Sequence, residues 1–403
     1  MKDLPAEKWE TLPLGEICEF KRGLTYKKGD EVETGGTPVL RANNVDLAKG
    51  ELDLAEIRYI DPAIEVPKAK KVVPGSLLIC TASGSKKHLG KTALIEDEMD
   101  FAFGGFMGLL VPRPIILPRY LQWLLRSDVY WSFIDGLSDG ANINNLKFKQ
   151  LAEFPVPLPP LEEQQRIVAV LDEAFEGLAC ARAHAEANLQ NAQELFESIK
   201  ADELAYSGSD REEVILSDVA EINSSLVDPR EDEYADMLHL GAGNMITGTD
   251  ELVDVKTARE EKLKSGKYLF DEKTVLYSKI RPYLRKAARP DFQGLCSADV
   301  YPLTPKPARL DRDFLFHLLL GNNFTEYAIS GSDRAGMPKV NRNHMFAYRF
   351  ELPPLEAQRR IASVIDEAHT SCSSLAELAK KKLHDLDDLR QSLLHKAFAG
   401  ELT

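Results

Sequence analysis

"LPPLEEQQRIVAVLDEAF" at residues 158–175 returns as "LPPLEAQRRIASVIDEAH" at residues 352–369, and the two copies are identical at 12 of 18 positions. Proline lacks a backbone N–H and its fixed φ suits the first helical turn, so each Pro-Pro pair is typical of a helix start. Upstream, "YLQWLLRSDVYWSFIDGLSD" from Tyr120 pairs with "FLFHLLLGNNFTEYAISGSD" from Phe314. The chain is therefore predicted to contain two copies of one unit, each a globular part followed by a long helix.

The two predicted helices carry apolar or small side chains at alternating spacings of three and four residues. This period is typical of a coiled coil, because such residues lie on one helix face. Neither helix can bury its stripe alone, so we expect an antiparallel coiled coil; two unrelated core helices are the alternative. The larger residues of the expected seam are Ile167, Leu171, Leu178, Leu189, Phe196, Ile361, Ile365, Leu375, Leu386 and Leu393.

The globular parts have a mixed α/β pattern. Short β-rich runs such as "TPVLRA", "SLLICTA" and "TVLYSKI" alternate with turn residues, and one helix per copy is expected at about residues 118–134 and 311–329. The pattern does not determine the strand topology. The predicted fold class is mixed α+β globular domains joined by two long helices, with an internal two-fold repeat. The predicted segments are 1–157 and 209–351 for the globular domains, and 158–208 and 352–403 for the helical regions.

The composition is that of a globular protein. With 403 residues and 44% hydrophobic content, the chain is long enough for two or three domains. The sequence has no run of eighteen apolar residues and no apolar signal-peptide core, so we expect a cytoplasmic protein. The five cysteines form no C-x-x-C pair, which predicts structural thiols without a disulfide framework or a zinc site.

The net charge of −14 argues against a nucleic-acid partner, because phosphate binding requires cationic surface. The charge is unevenly distributed, however. Residues 161–206 carry ten acidic and three basic side chains, whereas 67–95 carry six Lys and 273–290 carry six Lys or Arg, both without an acid. These two basic tracts are candidates for DNA contact.

"GSKKHLGKT" at residues 84–92 is similar to a phosphate-binding loop, but five residues separate Gly84 from Gly90 where that motif has four. The continuation "ALIEDEMD" predicts a strand, so no helix N-terminus is available to hold a phosphate. We interpret the stretch as a basic turn, with "SKIRPYLRKAA" at residues 278–288 as its counterpart in the second copy.

The doubled motif, "LPPLEEQQRI" and "LPPLEAQRRI" after the two globular parts, resembles the specificity subunit of Type I restriction-modification systems over essentially the whole chain. "PGSLLICTASGSKKHLGK" and "TVLYSKIRPYLRK", each followed by an aromatic and glycine-containing stretch, match the target recognition domains of that family more loosely. The resemblance implies a non-catalytic, sequence-specific DNA reader with a bipartite and asymmetric target.

The resemblance also implies partners. These are double-stranded DNA, two modification subunits that use S-adenosylmethionine to methylate adenine, and two ATP-driven restriction subunits. The sequence itself contains no D-P-P-Y or N-P-P-[YF] tetrapeptide of an adenine methylase and no metal-binding cluster. We therefore expect no cofactor on this chain, and no membrane partner.

Candidate DNA-contacting residues lie on three pairs of turns. Lysine and histidine suit phosphate, arginine can hold guanine in two bonds, asparagine can do the same with adenine, and tyrosine can stack. The basic turns contribute Lys86, Lys87, His88 and Lys91 in the first copy and Lys279, Arg281, Tyr283, Arg285 and Lys286 in the second. The polar turns ahead of the proline motifs contribute Asn142, Asn144 and Asn145, and Lys339, Asn341 and Arg342. The turns "RANN" and "GAGN" contribute Arg41, Asn43, Asn44 and Asn244.

Other interpretations of these features stay open. The basic turns could be solvated charged hairpins, and the asparagines could serve only their local turns. At the helix starts we expect Glu163, Gln164, Glu356 and Gln358 to cap the helix or pack locally and not to contact partners. A nucleotide-hydrolysing enzyme, on the strength of the defective loop, and a pure coiled-coil adaptor are the alternatives to a DNA reader.

Overall fold

The computed structural model describes residues 9–47, 49–85, 88–138, 145–222, 225–332 and 338–402. The chain divides into two compact units. Unit 1 contains Met1–Ala185 and Lys381–Thr403, and unit 2 contains Glu186–Lys380. Each unit therefore takes one part of each long helix.

Unit 1 combines three small sheets with short helices. Its strands are β1 (Glu10–Pro13), β2 (Cys18–Arg22), β3 (Glu31–Val32), β4 (Thr37–Leu40), β5 (Arg58–Ile60), β6 (Leu77–Cys80), β7 (Thr92–Leu94), β8 (Ala102–Phe103), β9 (Met107–Pro112) and β10 (Pro155–Leu158). Its short helices are α1 (Leu14–Ile17), α2 (Pro118–Leu124), α3 (Asp128–Ser138) and α4 (Phe148–Leu151). The strands pair in the orders β1-β10, β2-β9-β6-β7 and β3-β5-β4-β8, and only β4 and β8 pair in parallel.

The long helix α5 (Leu161–Leu204) leads into unit 2, which repeats this architecture. Its strands are β11 (Glu212–Ile215), β12 (Ala220–Ile222), β13 (Leu226–Val227), β14 (Leu238–Leu240), β15 (Lys256–Thr257), β16 (Lys267–Phe270), β17 (Val275–Ser278), β18 (Ala287–Ala288), β19 (Gly294–Cys296), β20 (Val300–Pro305) and β21 (Arg349–Leu352). Its short helices are α6 (Leu216–Val219), α7 (Asp232–Ala235), α8 (Arg312–Leu320), α9 (Asn322–Ser330) and α10 (Arg342–Phe346), and α11 (Leu355–Ala399) is the second long helix.

The sheets of the two units correspond strand for strand in their central parts. The order β12-β20-β17-β18 matches β2-β9-β6-β7, and β14 pairs in parallel with β19 as β4 does with β8. The predicted mixed α/β class and internal repeat are thus confirmed, as are the strands predicted from "TPVLRA", "SLLICTA" and "TVLYSKI". The single helix expected at 118–134 and at 311–329 is wrong, because each is two helices, α2 and α3 or α8 and α9. Gly321 separates the second pair in extended backbone, with φ −70° and ψ 155°.

The long helices pair in opposite directions within each unit. In unit 1, Arg182 of α5 forms an ion pair with Asp387 of α11 at 2.6 Å. In unit 2, the Phe196 ring lies 5.2 Å from that of His369, and Arg360 approaches Glu203 at 3.9 Å. Residues later in α5 contact residues earlier in α11, so the two helices run in opposite directions. This confirms the antiparallel coiled coil.

Nine of the ten large residues predicted for the seam are buried or half-buried, and one is exposed. Ile167, Leu171, Ile361 and Ile365 are fully buried. Leu178, Leu189, Phe196, Leu386 and Leu393 are half-buried.

Leu375 is 52% exposed, so its assignment to the seam is wrong. Cys372 and Ala379 are buried on either side of it, and the half-buried residue between them is Ala376. One residue turns a helix by about 100°, which directs Leu375 away from the seam.

Each unit has a core that includes the long helices. In unit 1, Ile167 and Leu171 share a buried cluster with Tyr120, Leu394 and Phe398. The Tyr120 and Phe398 rings meet edge to face at 5.5 Å. The helices are therefore structural parts of the globular units as well as of the coiled coil.

The remaining sequence predictions concern thiols and membranes. Cys18, Cys80, Cys296 and Cys372 are free and buried, whereas Cys180 is free and exposed, so only four of the five are core thiols. No helix within the described ranges is both long and apolar enough to cross a membrane.

Candidate nucleic-acid interface

The glutamine of each proline motif fastens the long helix to its recognition domain. Oε1 of Gln164 accepts the backbone N–H of Leu117 at 2.8 Å, and Nε2 donates to the carbonyls of Ile115 and Pro159. In unit 2 the partners of Gln358 are the same three kinds of backbone group, on Asp311, Arg309 and Pro353, at 2.8, 2.9 and 2.7 Å. Both glutamines are fully buried. The expected local role of these residues is thus confirmed, and it fixes the base of each domain.

Asn44 and Asn244 hold equivalent turns, one in each unit. Oδ1 of Asn44 accepts the N–H of Arg41, and its Nδ2 donates to two carbonyls, those of Asp53 and Glu56, each at 2.9 Å. The corresponding partners of Asn244 are Gly241, Val253 and Asp254. Every polar atom of both amides therefore bonds to backbone. These two asparagines shape the turn, and their amides are not free to read a base.

Lys91 and Lys286 attach the two basic turns to those asparagine turns. Nζ of Lys91 donates to the carbonyl of Val45 at 2.8 Å, and Nζ of Lys286 donates to that of Ala242 at 2.7 Å. Lys91 is only 6% exposed, and its burial lowers the pKa of the ammonium. The expectation that Lys91 presents its charge on the turn is wrong, because its ammonium satisfies a buried carbonyl. Lys91 also leads into strand β7, as predicted, and not into a helix.

The polar segment before α4 or α10 pairs with the basic turn of the same unit. Ala82 forms a β-bridge with Asn145, and Ile280 forms one with Lys339. The N–H of Leu146 donates to Thr81 O at 2.7 Å. The predicted basic and polar turns therefore lie side by side in both units. Asn142 and Asn144 lie outside the described residues; Asn145 is exposed.

Three residues of this segment in unit 2 have distinct roles. Lys339 pairs with Asp299 at 3.1 Å. Asn341 caps α10, because its Oδ1 accepts the N–H of His344 at 2.8 Å. Arg342 is exposed, with its guanidinium 5.6 Å from the Phe346 ring centroid. Of the three, Arg342 has the most accessible charge.

Two of the four cations of the basic turn in unit 2, Lys279 and Arg285, form ion pairs within the protein. Arg285 bonds Glu197 at 3.3 Å and Asn322 at 2.6 Å. Lys279 pairs with Asp299 at 3.5 Å and donates to the carbonyl of Ala298. Arg289, further along, is held by three aspartates, Asp250, Asp313 and Asp366. Their charges are committed to protein partners.

Arg281 differs from these neighbours. It is exposed, and no described residue bonds its guanidinium, while its backbone N–H donates to Pro338 O at 2.9 Å. Arg281 and Arg285 both have left-handed backbone, with φ of 50° and 45°, which costs a non-glycine residue about 1–3 kcal/mol. Between them, Tyr283 is 53% exposed. A strained turn thus presents one aromatic ring and one guanidinium that has no partner among the described residues.

Unit 1 presents a different set of side chains at the same place. His88 and Asn43 are exposed, and Arg41 is partly exposed with Glu31 3.6 Å from its Nη1. Lys86 and Lys87 lie outside the described residues. The position of Asn43 is Gly243 in unit 2, so the two turns share a backbone and differ in exposed chemistry.

Sequence reasoning missed two exposed features of unit 1. Phe106, in the turn between β8 and β9, is 73% exposed, and its carbonyl accepts the N–H groups of Thr81 and Ala82 at the root of the basic turn. Lys27 and Lys28 are exposed cations on the segment after β2. The cluster of cations in "FKRGLTYKKG" could have identified Lys27 and Lys28 from the sequence. A single phenylalanine in a glycine-rich turn carries no such signal for Phe106.

In each unit, an aspartate of the long helix forms a hydrogen bond with a short helix, α2 in unit 1 and α8 in unit 2. The side chain of the short helix that makes this bond differs between the units. Asp172 accepts from Trp123 Nε1 at 2.8 Å, and Asp366 pairs with His317 Nε2 at 2.9 Å. Burial lowers the pKa of His317, and its bond to Asp366 offsets this only in part. Burial alone would raise the pKa of Asp366, but the hydrogen bonds from His317 and Arg289 outweigh it and hold the pKa below its usual range.

Comparison with known proteins identifies the repeated unit. The family model for the Type I restriction modification DNA specificity domain matches the chain twice, at residues 6–182 and 208–383. The chain belongs to this family. The predicted resemblance is confirmed, and the match to a DNA specificity domain agrees with a DNA-recognition chain and not a catalytic one. Each match covers one recognition domain and part of the long helix that follows it.

Curated relatives and solved structures of this family extend over nearly the whole chain. The StySPI specificity subunit of Salmonella potsdam is 27% identical, covering 98% of this chain and 90% of the relative. The EcoKI specificity subunit of Escherichia coli K12 is 23% identical, and the match again covers 98% of this chain and 90% of the relative. In fold, the HsdS subunit from Thermoanaerobacter tengcongensis matches with a TM-score of 0.63 at 20% identity, covering 98% of each chain. A chain from a study of type I R-M complex assembly and conformational transition matches with a TM-score of 0.78 at 19% identity, covering 100% of each.

Proposed function

We propose that this chain is the specificity subunit of a Type I restriction-modification complex, and that each unit reads one part of a bipartite, asymmetric DNA target. One observation carries the proposal: the chain contains two DNA specificity domains whose backbones are held by the same contacts and whose exposed side chains differ. Two equal scaffolds with unequal surfaces suit a target made of two unequal parts.

The chemistry of the exposed residues supports DNA as the ligand. In unit 2, Arg281 offers the paired donors that match O6 and N7 of guanine, and Tyr283 offers a flat ring. In unit 1, Asn145 and Asn43 offer the donor and acceptor pair that suits adenine, and Lys27 and Lys28 suit phosphate. Residues 161–206, which contain the first long helix, carry ten acidic and three basic side chains and so supply half of the net charge of −14, whereas the cations of the two basic tracts are local.

The partners follow from the same proposal. Two modification subunits would bring S-adenosylmethionine and methylate adenine, and two restriction subunits would use ATP. This chain would hold neither cofactor. Among the described residues, no cluster of His, Cys, Asp and Glu has the arrangement of a metal site.

The decisive experiment is to map adenine methylation in cells that produce this chain together with its modification subunit. We expect one methylated motif with two specified parts separated by unspecified bases. Cells with the modification subunit alone serve as the control and should lack the motif. A single uninterrupted motif, or methylation that does not depend on this chain, would contradict the proposal.

A further inference from the structure

Phe106 is the most exposed large apolar side chain that the structure describes, at 73%. Single exposed apolar residues are common on protein surfaces, so exposure alone assigns no role. The position of Phe106 and the way its backbone is held are the informative features.

The turn that carries Phe106 is rigidly attached. Its carbonyl accepts three hydrogen bonds, from Thr81 N at 2.9 Å, Thr81 Oγ1 at 2.9 Å and Ala82 N at 3.1 Å. The N–H of Met107 closes the turn on Gly104 O at 2.8 Å. Thr81 is buried, so the attachment is to the core of the domain. The ring therefore projects from a fixed backbone, which lowers the entropic cost of binding.

The three candidate DNA-contacting segments of unit 1 surround this turn. Ala82, which bonds the Phe106 carbonyl, also forms the β-bridge with Asn145. His88 lies on the basic turn that continues from Ala82. On the other side, a methyl group at Gly104 would lie 3.8 Å from Cγ of Arg41. The backbone turn that carries the exposed Phe106 ring thus adjoins segments whose side chains are polar or cationic and suited to DNA.

Unit 2 places an acid where unit 1 has this ring. Lys279 N donates to the carbonyl of Asp299, just as Thr81 N donates to that of Phe106. The Asp299 carboxylate pairs with Lys279 and Lys339, so it neutralises cations in place of contacting a ligand. Tyr283 is the exposed ring there instead. Among the described residues, the exposed aromatic side chain is therefore Phe106 in unit 1 and Tyr283 in unit 2, on different segments.

We infer that Phe106 contacts a DNA base directly and sets the preference at one position of the part of the target read by unit 1. This inference rests on the proposed function and adds a specificity-determining residue to it. A phenyl ring can contact the C5-methyl group of thymine or insert against the base stack, and neither contact requires a hydrogen bond. Its neighbours Asn145 and His88 would supply the polar contacts.

The test compares Phe106→Ala and Phe106→Leu with Ile115→Ala in the complex with the modification subunit. Ile115 is an exposed apolar residue of the same unit in the turn before α2, where its carbonyl accepts a hydrogen bond from Nε2 of Gln164 at the base of the domain. Methylated motifs and binding to duplexes with single base changes are measured. One base position typically accounts for about 5- to 150-fold in affinity. We expect Phe106→Ala to lose a discrimination of this size at one position, and Ile115→Ala to lose none.

The outcomes separate this inference from the proposed function. Retained preference in Phe106→Leu would support an apolar contact with a thymine methyl, and lost preference would support stacking. A wild-type complex with a bipartite target, and an unchanged target in Phe106→Ala, would overturn the inference and leave the function intact. Impaired assembly with the modification subunit, without altered base preference, would also overturn it. A wild-type complex without sequence preference would instead overturn the proposed function.

Discussion

Unit 1 and unit 2 share several buried polar contacts to backbone and differ in the side chains that they expose. Gln164 and Gln358 make the same three bonds to backbone, and Lys91 and Lys286 tie the basic turns to the same place. By contrast, the exposed ring is Phe106 in unit 1 and Tyr283 in unit 2, on different segments. A polar group that satisfies buried backbone cannot change without leaving a donor or acceptor unpaired, whereas an exposed side chain can. The comparison therefore separates the scaffold from the reading surface.

The largest expected effect comes from truncating an apolar side chain near the end of each long helix, where that helix packs into the core of a unit. Phe398→Ala should destabilise unit 1 by about 3–5 kcal/mol, because a fully buried ring against Tyr120 is lost. Leu204→Ala, at the end of α5, should destabilise unit 2 by less, because Leu204 is only half-buried. Hydrogen exchange in the full chain measures both effects. Equal loss of protection in both units from Phe398→Ala would show that the units are not separate cores.

A second change tests whether the two proline motifs are equivalent. Gln164→Leu and Gln358→Leu each leave one backbone N–H and two carbonyls without their side-chain partner. We expect each variant to lose about 1–3 kcal/mol of stability in its own unit, and the two losses to be similar. Denaturant unfolding of both variants supplies the comparison. A large loss in one and none in the other would show that the repeated motif has lost its role in one copy.

The basic turn offers a sharper contrast between a structural lysine and the lysines proposed to contact DNA. Lys91→Met should lower the stability of unit 1 by about 1–3 kcal/mol and leave the salt dependence of DNA binding unchanged. Lys286→Met should cost less, because Lys286 is half-buried. Neutralising Lys86 and Lys87 should instead reduce the salt slope by up to about 0.9 per phosphate contact. The opposite result would be that Lys91→Met reduces the salt dependence of DNA binding without lowering the stability of the protein. It would show that Lys91 contacts DNA.

The smallest expected effect concerns pH. The pKa of His317 lies below its ordinary value in the folded chain, so the unfolded state binds the additional proton. Stability should therefore fall as pH drops below about 6.5, the ordinary value for histidine. Asp366, whose pKa is depressed, should lose its contribution only at much lower pH. Arg289 lowers the pKa of His317 further, and Asp313 raises it. Unit 1 has Trp123 at the corresponding position, and tryptophan does not titrate in this range.

Replacing His317 by Gln should remove part of this pH dependence in unit 2 and leave unit 1 unaffected. His239, whose pKa burial also lowers, should retain the rest. Urea unfolding at pH 5.5 and pH 7.5, with hydrogen exchange to separate the units, measures the difference. An unchanged pH dependence in His317→Gln would show that the His317–Asp366 pair does not contribute to it.

The sequence was sufficient for the repeat, the strands and the antiparallel helices, because each rests on a periodic or duplicated pattern. It was insufficient for the roles of single polar residues. Lys91 and Arg281 both lie in basic turns, but one is buried against a carbonyl and the other is exposed, and only the tertiary contacts distinguish them. Counted from Cys372, Leu375 fits a spacing of three residues and Ala376 fits a spacing of four. The seam residue is the small Ala376, and a search for large apolar residues overlooks it.

The central claim is that two like scaffolds read two parts of the target independently. It is tested most directly by mapping methylated motifs for two sets of variants in complex with the modification subunit. His88→Ala and Asn145→Ala change only the surface of unit 1. Arg281→Ala and Tyr283→Ala change only that of unit 2, with Arg285→Ala as the control whose guanidinium is already paired.

We expect the unit 1 variants to relax positions in one part of the motif and the unit 2 variants to relax positions in the other. Arg281→Ala should weaken discrimination at one guanine by about 1–3 kcal/mol, and Arg285→Ala should alter no base preference. If both sets relaxed the same positions, or if each folded variant lost both parts of the motif together, the account of two independent reading surfaces would be wrong.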